Sequence, residues 1–99
     1  MSVMARNRRK EERVAATGPV LLRRAGLPQM EMVGELRDES PNGFRAAYTE
    51  GMLASGDEVE FAAPHRGGSA VVVWSRVFGN QKEAGFLIRR LREGADTGS

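Results

Sequence analysis

The chain has 99 residues, enough for one domain built on one core and too few for two. Fifteen cations against thirteen carboxylates leave a net charge of +2, a balance that does not by itself mark a nucleic-acid binder. Cysteine is absent and His65 is the single histidine, which excludes disulfides, thiolate chemistry, cysteine-based zinc sites and histidine clusters.

Residues 1–13 hold Arg6, Arg8, Arg9, Lys10 and Arg13 against Glu11 and Glu12. This segment has little to bury and is expected to be a flexible basic arm. The stretch after Arg13 is too short and polar for a signal-peptide core. Val20-Leu21-Leu22 is a short apolar run closed by Ala25-Gly26-Leu27-Pro28, and residues 30–37 alternate like a half-buried strand. Met30 and Met32 share one face of that strand, as core or rim. Asp38-Glu39-Ser40-Pro41-Asn42-Gly43 has the composition of a turn.

Gly43-Phe44-Arg45-Ala46-Ala47-Tyr48 reads as the next strand, and residues 53–57 as the next turn. Residues 58–62 alternate with period two, and residues 64–68, His65 included, form a loop. Val71-Val72-Val73-Trp74 is the strongest β signal in the chain. Alternation puts Val72 and Trp74 on one face of that strand and Val71 and Val73 on the other, so Trp74 is either core or a ligand platform. Arg76 falls on the same face as Trp74. Residues 79–82 turn the chain back into a strand over residues 83–88. Residues 89–93 are expected to begin a short C-terminal helix, and residues 94–99 to form a disordered tail.

Six short strands at roughly ten-residue spacing predict an all-β fold, a small six-stranded antiparallel β-barrel over residues 14–93. Side chains fill a barrel this small, so a ligand must bind on its outside or at its mouth. No stretch approaches the roughly 20 apolar residues of a membrane span, and a cytoplasmic location is expected. Carboxylates are plentiful, but none is paired with a nucleophile, metal site or base, so the chain is expected not to be an enzyme.

Thirteen of the fifteen cations are arginine, the side chain suited to bidentate recognition of phosphate and guanine. Arg9 and Arg13 form an Arg-x-x-x-Arg pair, and Asp38, Ser40 and Gly43 an Asp-x-Ser-x-x-Gly hexapeptide. These two motifs, in this order ahead of a late Val-Val-Trp strand, resemble the PilZ domain family over about residues 8–88. That resemblance implies a receptor for the bacterial second messenger cyclic di-GMP, with Arg9 and Arg13 as arm ligands and Asp38, Ser40 and Gly43 as barrel ligands. It also implies an aromatic beside the bound guanines, a place open to Trp74. Arg8, directly ahead of the pair, implies an intercalated dimer of the ligand, two molecules per chain.

Those residue types suit that ligand. Arginine lies bidentate on a phosphate or on the O6/N7 edge of guanine. A carboxylate accepts from the guanine N1–H and N2–H₂ edge, and a hydroxyl adds an adaptable partner. Glycine admits a positive φ or a close approach of ligand to backbone. Ordering of the arm on ligand capture would change the surface offered to a downstream protein partner, for which the resemblance implies motility, exopolysaccharide or biofilm control. No cofactor is expected. The competing reading is a small β-barrel that binds RNA or DNA through its basic arm. It is disfavoured by an aromatic content of 6 % with no obvious stacking array.

Overall fold

The computed structural model describes residues 13–27 and 30–92. Arg8, Arg9, most of the expected arm and the expected tail lie outside the described residues. Seven strands occur in chain order: β1 (Val14–Ala15), β2 (Pro19–Arg24), β3 (Glu31–Ser40), β4 (Gly43–Tyr48), β5 (Glu58–Ala62), β6 (Gly67–Phe78) and β7 (Gln81–Leu91). All pairings are antiparallel, and β2, β5, β6, β7, β4 and β3 close into a six-stranded barrel through the β3–β4 pair. The two-residue β1 continues the path of β2 alongside β3, pairing Ala15 with Asp38.

No helix occurs among the described residues. Arg89, Arg90 and Leu91 extend β7, where a helix was expected to begin. The reason is pairing: Leu91 faces Gly68 and Arg90 faces Ser69, so β6 offers this segment a ready ladder.

Alternation places one face of each strand in the interior. Val20 and Leu22 on β2, Met32 and Leu36 on β3, Val59 and Phe61 on β5, and Val72 on β6 are all buried. Met30, just ahead of β3, is exposed. Phe44 is the hub of the core: its ring lies 4.6 Å from that of Phe86, stacked, and 4.8 Å from that of Phe61, tilted. The buried hydroxyl of Tyr48 accepts from the Leu53 amide at 3.1 Å, which satisfies both groups and ties the 49–57 loop to the barrel.

Three β-bulges interrupt the ladders among the described residues. One leaves Arg89 extra on β7, between the pairs Ser69–Arg90 and Ala70–Ile88. The other two break the alternation on β3 and β6. On β3, Leu36 faces Ala46 and Asp38 faces Arg45, which leaves Arg37 as an extra residue. On β6, Val72 faces Phe86 and Trp74 faces Gly85, which leaves Val73 extra. A bulge reverses the inside–outside phase of everything after it on that strand. Asp38 and Ser40 are thereby turned to the outer face, and so is Trp74.

Candidate functional site

The bulges bring the outward residues of four strands into register. One row across the outer surface runs Asp38, Arg45, Gly85, Trp74, and the row beside it Ser40, Gly43, Leu87. A cleft of about 480 Å³ opens over these two rows, bordered also by Arg13, Asn42, Val73 and Phe86. Arg13, Asp38, Ser40, Gly43 and Trp74, all singled out in the sequence, line this one cleft. Arg8 and Arg9 lie outside the described residues.

The turn within the Asp-x-Ser-x-x-Gly motif is shorter than its composition implies. Asp38, Glu39 and Ser40 belong to β3, Gly43 opens β4, and Ser40 pairs directly with Gly43. The connection is Pro41-Asn42, and no residue other than glycine has a positive φ among the described residues. Proline at the first turn position presets φ, so the bend forms without the left-handed conformation. Gly43 is not among the positive-φ glycines either. A Cβ there would collide with the Phe86 carbonyl oxygen, so glycine is needed for the close packing of β4 on β7.

Trp74 is half-buried on the outer surface, and the core position that alternation allows it is excluded by the Val73 bulge. Its indole lies over Gly85, whose missing side chain makes room for it. The Arg76 guanidinium sits 4.8 Å from the Trp74 ring centroid and 5.3 Å from that of Phe78. Arg76 therefore stacks between two aromatic rings on the outer face of β6.

The polar side of the cleft is an ion-pair chain. Arg13 Nε lies 3.2 Å from Asp38 Oδ1, and Arg45 Nη2 3.0 Å from Asp38 Oδ2. Arg45 Nη1 and Arg37 Nε each approach the Glu83 carboxylate at 3.7 Å. Three guanidiniums thus face two carboxylates, which leaves this wall cationic. Ser40 is 5 % exposed, its hydroxyl 3.5 Å from Arg13 Nη1 and from the Gly43 carbonyl oxygen.

Two arginines central to this arrangement were not assigned a role from the sequence. Arg45 belongs to the strand expected over residues 43–48, with no role attached, yet it lines the cleft between Asp38 and Gly85. Its signal was present: Phe44 is core, so Arg45 must face the side to which Asp38 is turned. Arg66 braces the hairpin from behind. Its Nη2 donates to the carbonyl oxygens of Ser40 at 2.9 Å and Gly43 at 3.0 Å, and its Nη1 to that of Pro41 at 3.3 Å. The Glu39 carboxylate, 3.4 Å from the same Nη2, balances the charge. Nothing local in the sequence connects Arg66 with residues more than twenty positions earlier.

No helix among the described residues is long and apolar enough to cross a membrane, and they hold no cluster of metal-ligating side chains. Compared with protein-family models and with curated proteins, the chain matches none.

Proposed function

We propose that the chain is a receptor for cyclic di-GMP and that the ligand occupies the outer cleft. The observation that carries this reading is the meeting of Arg13, Asp38, Ser40, Gly43 and Trp74 around one depression. Its volume of about 480 Å³ falls within the roughly 300–1,000 Å³ of small-molecule sites. Its two walls match the two halves of a guanine nucleotide. Trp74 offers a base a stacking surface, and Arg13 offers a phosphate or the guanine O6/N7 edge a planar cation. The Asp38 carboxylate and Ser40 hydroxyl lie between them, able to accept from the base edge.

In this reading Arg8 and Arg9 add two more guanidiniums to the ligand, and a second, intercalated ligand molecule is part of the proposal. The chain has no catalytic role. Ligand capture changes the surface around the start of β1, and a downstream protein partner reads that change.

Calorimetric titration with cyclic di-GMP tests this. Saturable binding by the wild type is expected, with one or two ligands per chain read from the same curve. Arg9→Ala, Arg13→Ala and Asp38→Ala should abolish it while the far-ultraviolet spectrum stays that of a β-barrel. Undiminished affinity in these variants would refute the assigned site. Absence of wild-type binding, together with salt-sensitive binding to oligonucleotides, would replace the reading with nucleic-acid recognition.

A further inference from the structure

We propose that Arg45 is the second phosphate-binding guanidinium of the cleft, held ready beside Arg13 by the shared carboxylate of Asp38. The inference rests on the reading of the cleft as a nucleotide site and adds to it a residue outside both sequence motifs.

Geometry carries the assignment. Asp38 grips Arg13 through one carboxylate oxygen, at 3.2 Å, and Arg45 through the other, at 3.0 Å. Two like charges are thereby kept side by side along the cleft, with one carboxylate to neutralise them. The second acid near Arg45 is Glu83, but it is shared with Arg37 and stands 3.7 Å from each, beyond hydrogen-bond distance. Arg45 Nε is covered from solvent and has no hydrogen-bond partner among the described residues. A guanidinium presents five donors in a planar fork.

Arg45 therefore has a counter-charge, and an acceptor for one Nη in Asp38, but none for its Nε. A covered N–H left without an acceptor is costly, so the side chain gains by turning its fork toward an acceptor brought into the cleft. An anionic oxygen suits this place better than a neutral one, because the excess charge of the wall is positive. A phosphodiester group spanning Arg13 and Arg45 supplies both the acceptor and the missing negative charge.

The test compares wild type with Arg45→Met, which keeps the aliphatic stem, and with Arg45→Lys, which keeps the charge but not the fork. Each is titrated with cyclic di-GMP and, separately, with inorganic pyrophosphate, at low and at raised salt. Amide spectra report whether the barrel is intact. Arg45→Met should bind about 10- to 150-fold more weakly, as expected for a hydrogen bond to a charged group. Its affinity should also fall less with added salt than that of the wild type, because a screened charge has been removed. Arg45→Lys should bind more weakly than wild type while retaining the wild-type salt dependence. A purely structural role for Arg45 would leave the salt dependence unmoved.

Cyclic di-GMP binding that is equal in wild type and Arg45→Met overturns this inference and leaves the proposed function standing. Pyrophosphate binding that needs Arg45, in a protein that ignores cyclic di-GMP, sustains the inference and overturns the function. Binding of neither ligand by wild type overturns both. If Arg45→Met does not fold, Arg45→Lys decides, and wild-type affinity in that variant overturns the inference.

Discussion

The indole of Trp74 lies so close over Gly85 that a Cβ at residue 85 would collide with the indole Nε1. The aromatic wall of the cleft thus depends on a side chain missing from the neighbouring strand. Gly85→Ala should lift the ring and overfill the site, at a cost of about 1–3 kcal/mol. Trp74 is the single tryptophan, so its emission reports the change directly. A red shift with a lowered melting temperature is expected; unchanged emission and melting would mean that the indole does not rest there in solution.

Arg66 makes a separate prediction, because it touches the hairpin through backbone atoms of Ser40, Pro41 and Gly43. Arg66→Ala leaves those carbonyls without their charged donor, a loss of roughly 1.5–3 kcal/mol. The Ile88 amide donates to the Asn42 carbonyl at 2.8 Å and so reports whether the turn is held. Its hydrogen exchange should quicken in Arg66→Ala and recover partly in Arg66→Lys. Exchange at the wild-type rate in the alanine variant would show that the turn holds itself.

The strands of this barrel were legible because most of them alternate cleanly. Val20 and Leu22, Val59 and Phe61, and Ala70 and Val72 each occupy one face with period two and are buried. Asp38, Ser40 and Gly43 were legible as a unit because they form the Asp-x-Ser-x-x-Gly motif within a run of turn-forming residues. The orientation of Trp74 was not. A bulge is one unpaired residue, and Val73 carries no mark that distinguishes it from Val71 or Val72. The same holds for Arg37, whose insertion turns Asp38 outward. Long-range contacts such as that of Arg66 leave no local trace, since they depend on how the closed barrel folds the 63–66 turn back on the hairpin.

Asp38 separates stability from binding. Its partners Arg13 and Arg45 have side chains 45 % and 36 % exposed, so solvent screens both pairs and each contributes at most about 1 kcal/mol. Asp38→Asn should therefore melt close to the wild type. Its affinity for cyclic di-GMP should fall much further, because under the proposed function the carboxylate meets the ligand, and it holds two guanidiniums in place. A large stability loss with affinity intact among the folded molecules would reverse this assignment.

Phe44 and Phe78 provide the contrast between core and rim. Phe44 is 1 % exposed and packs on both Phe86 and Phe61, so Phe44→Ala should cost about 3–5 kcal/mol. Small domains have total stabilities of roughly 5–15 kcal/mol, so this variant should be partly unfolded near physiological temperature. Phe78 is 48 % exposed at the end of β6, where it covers one side of the Arg76 guanidinium. Phe78→Ser removes only that contact, about 0.5–1 kcal/mol at an exposed site. Denaturant unfolding of the two variants should differ by several-fold in lost stability. Equal losses would mean that the β6–β7 ribbon is packed against something in solution and that its outer end is not a free surface.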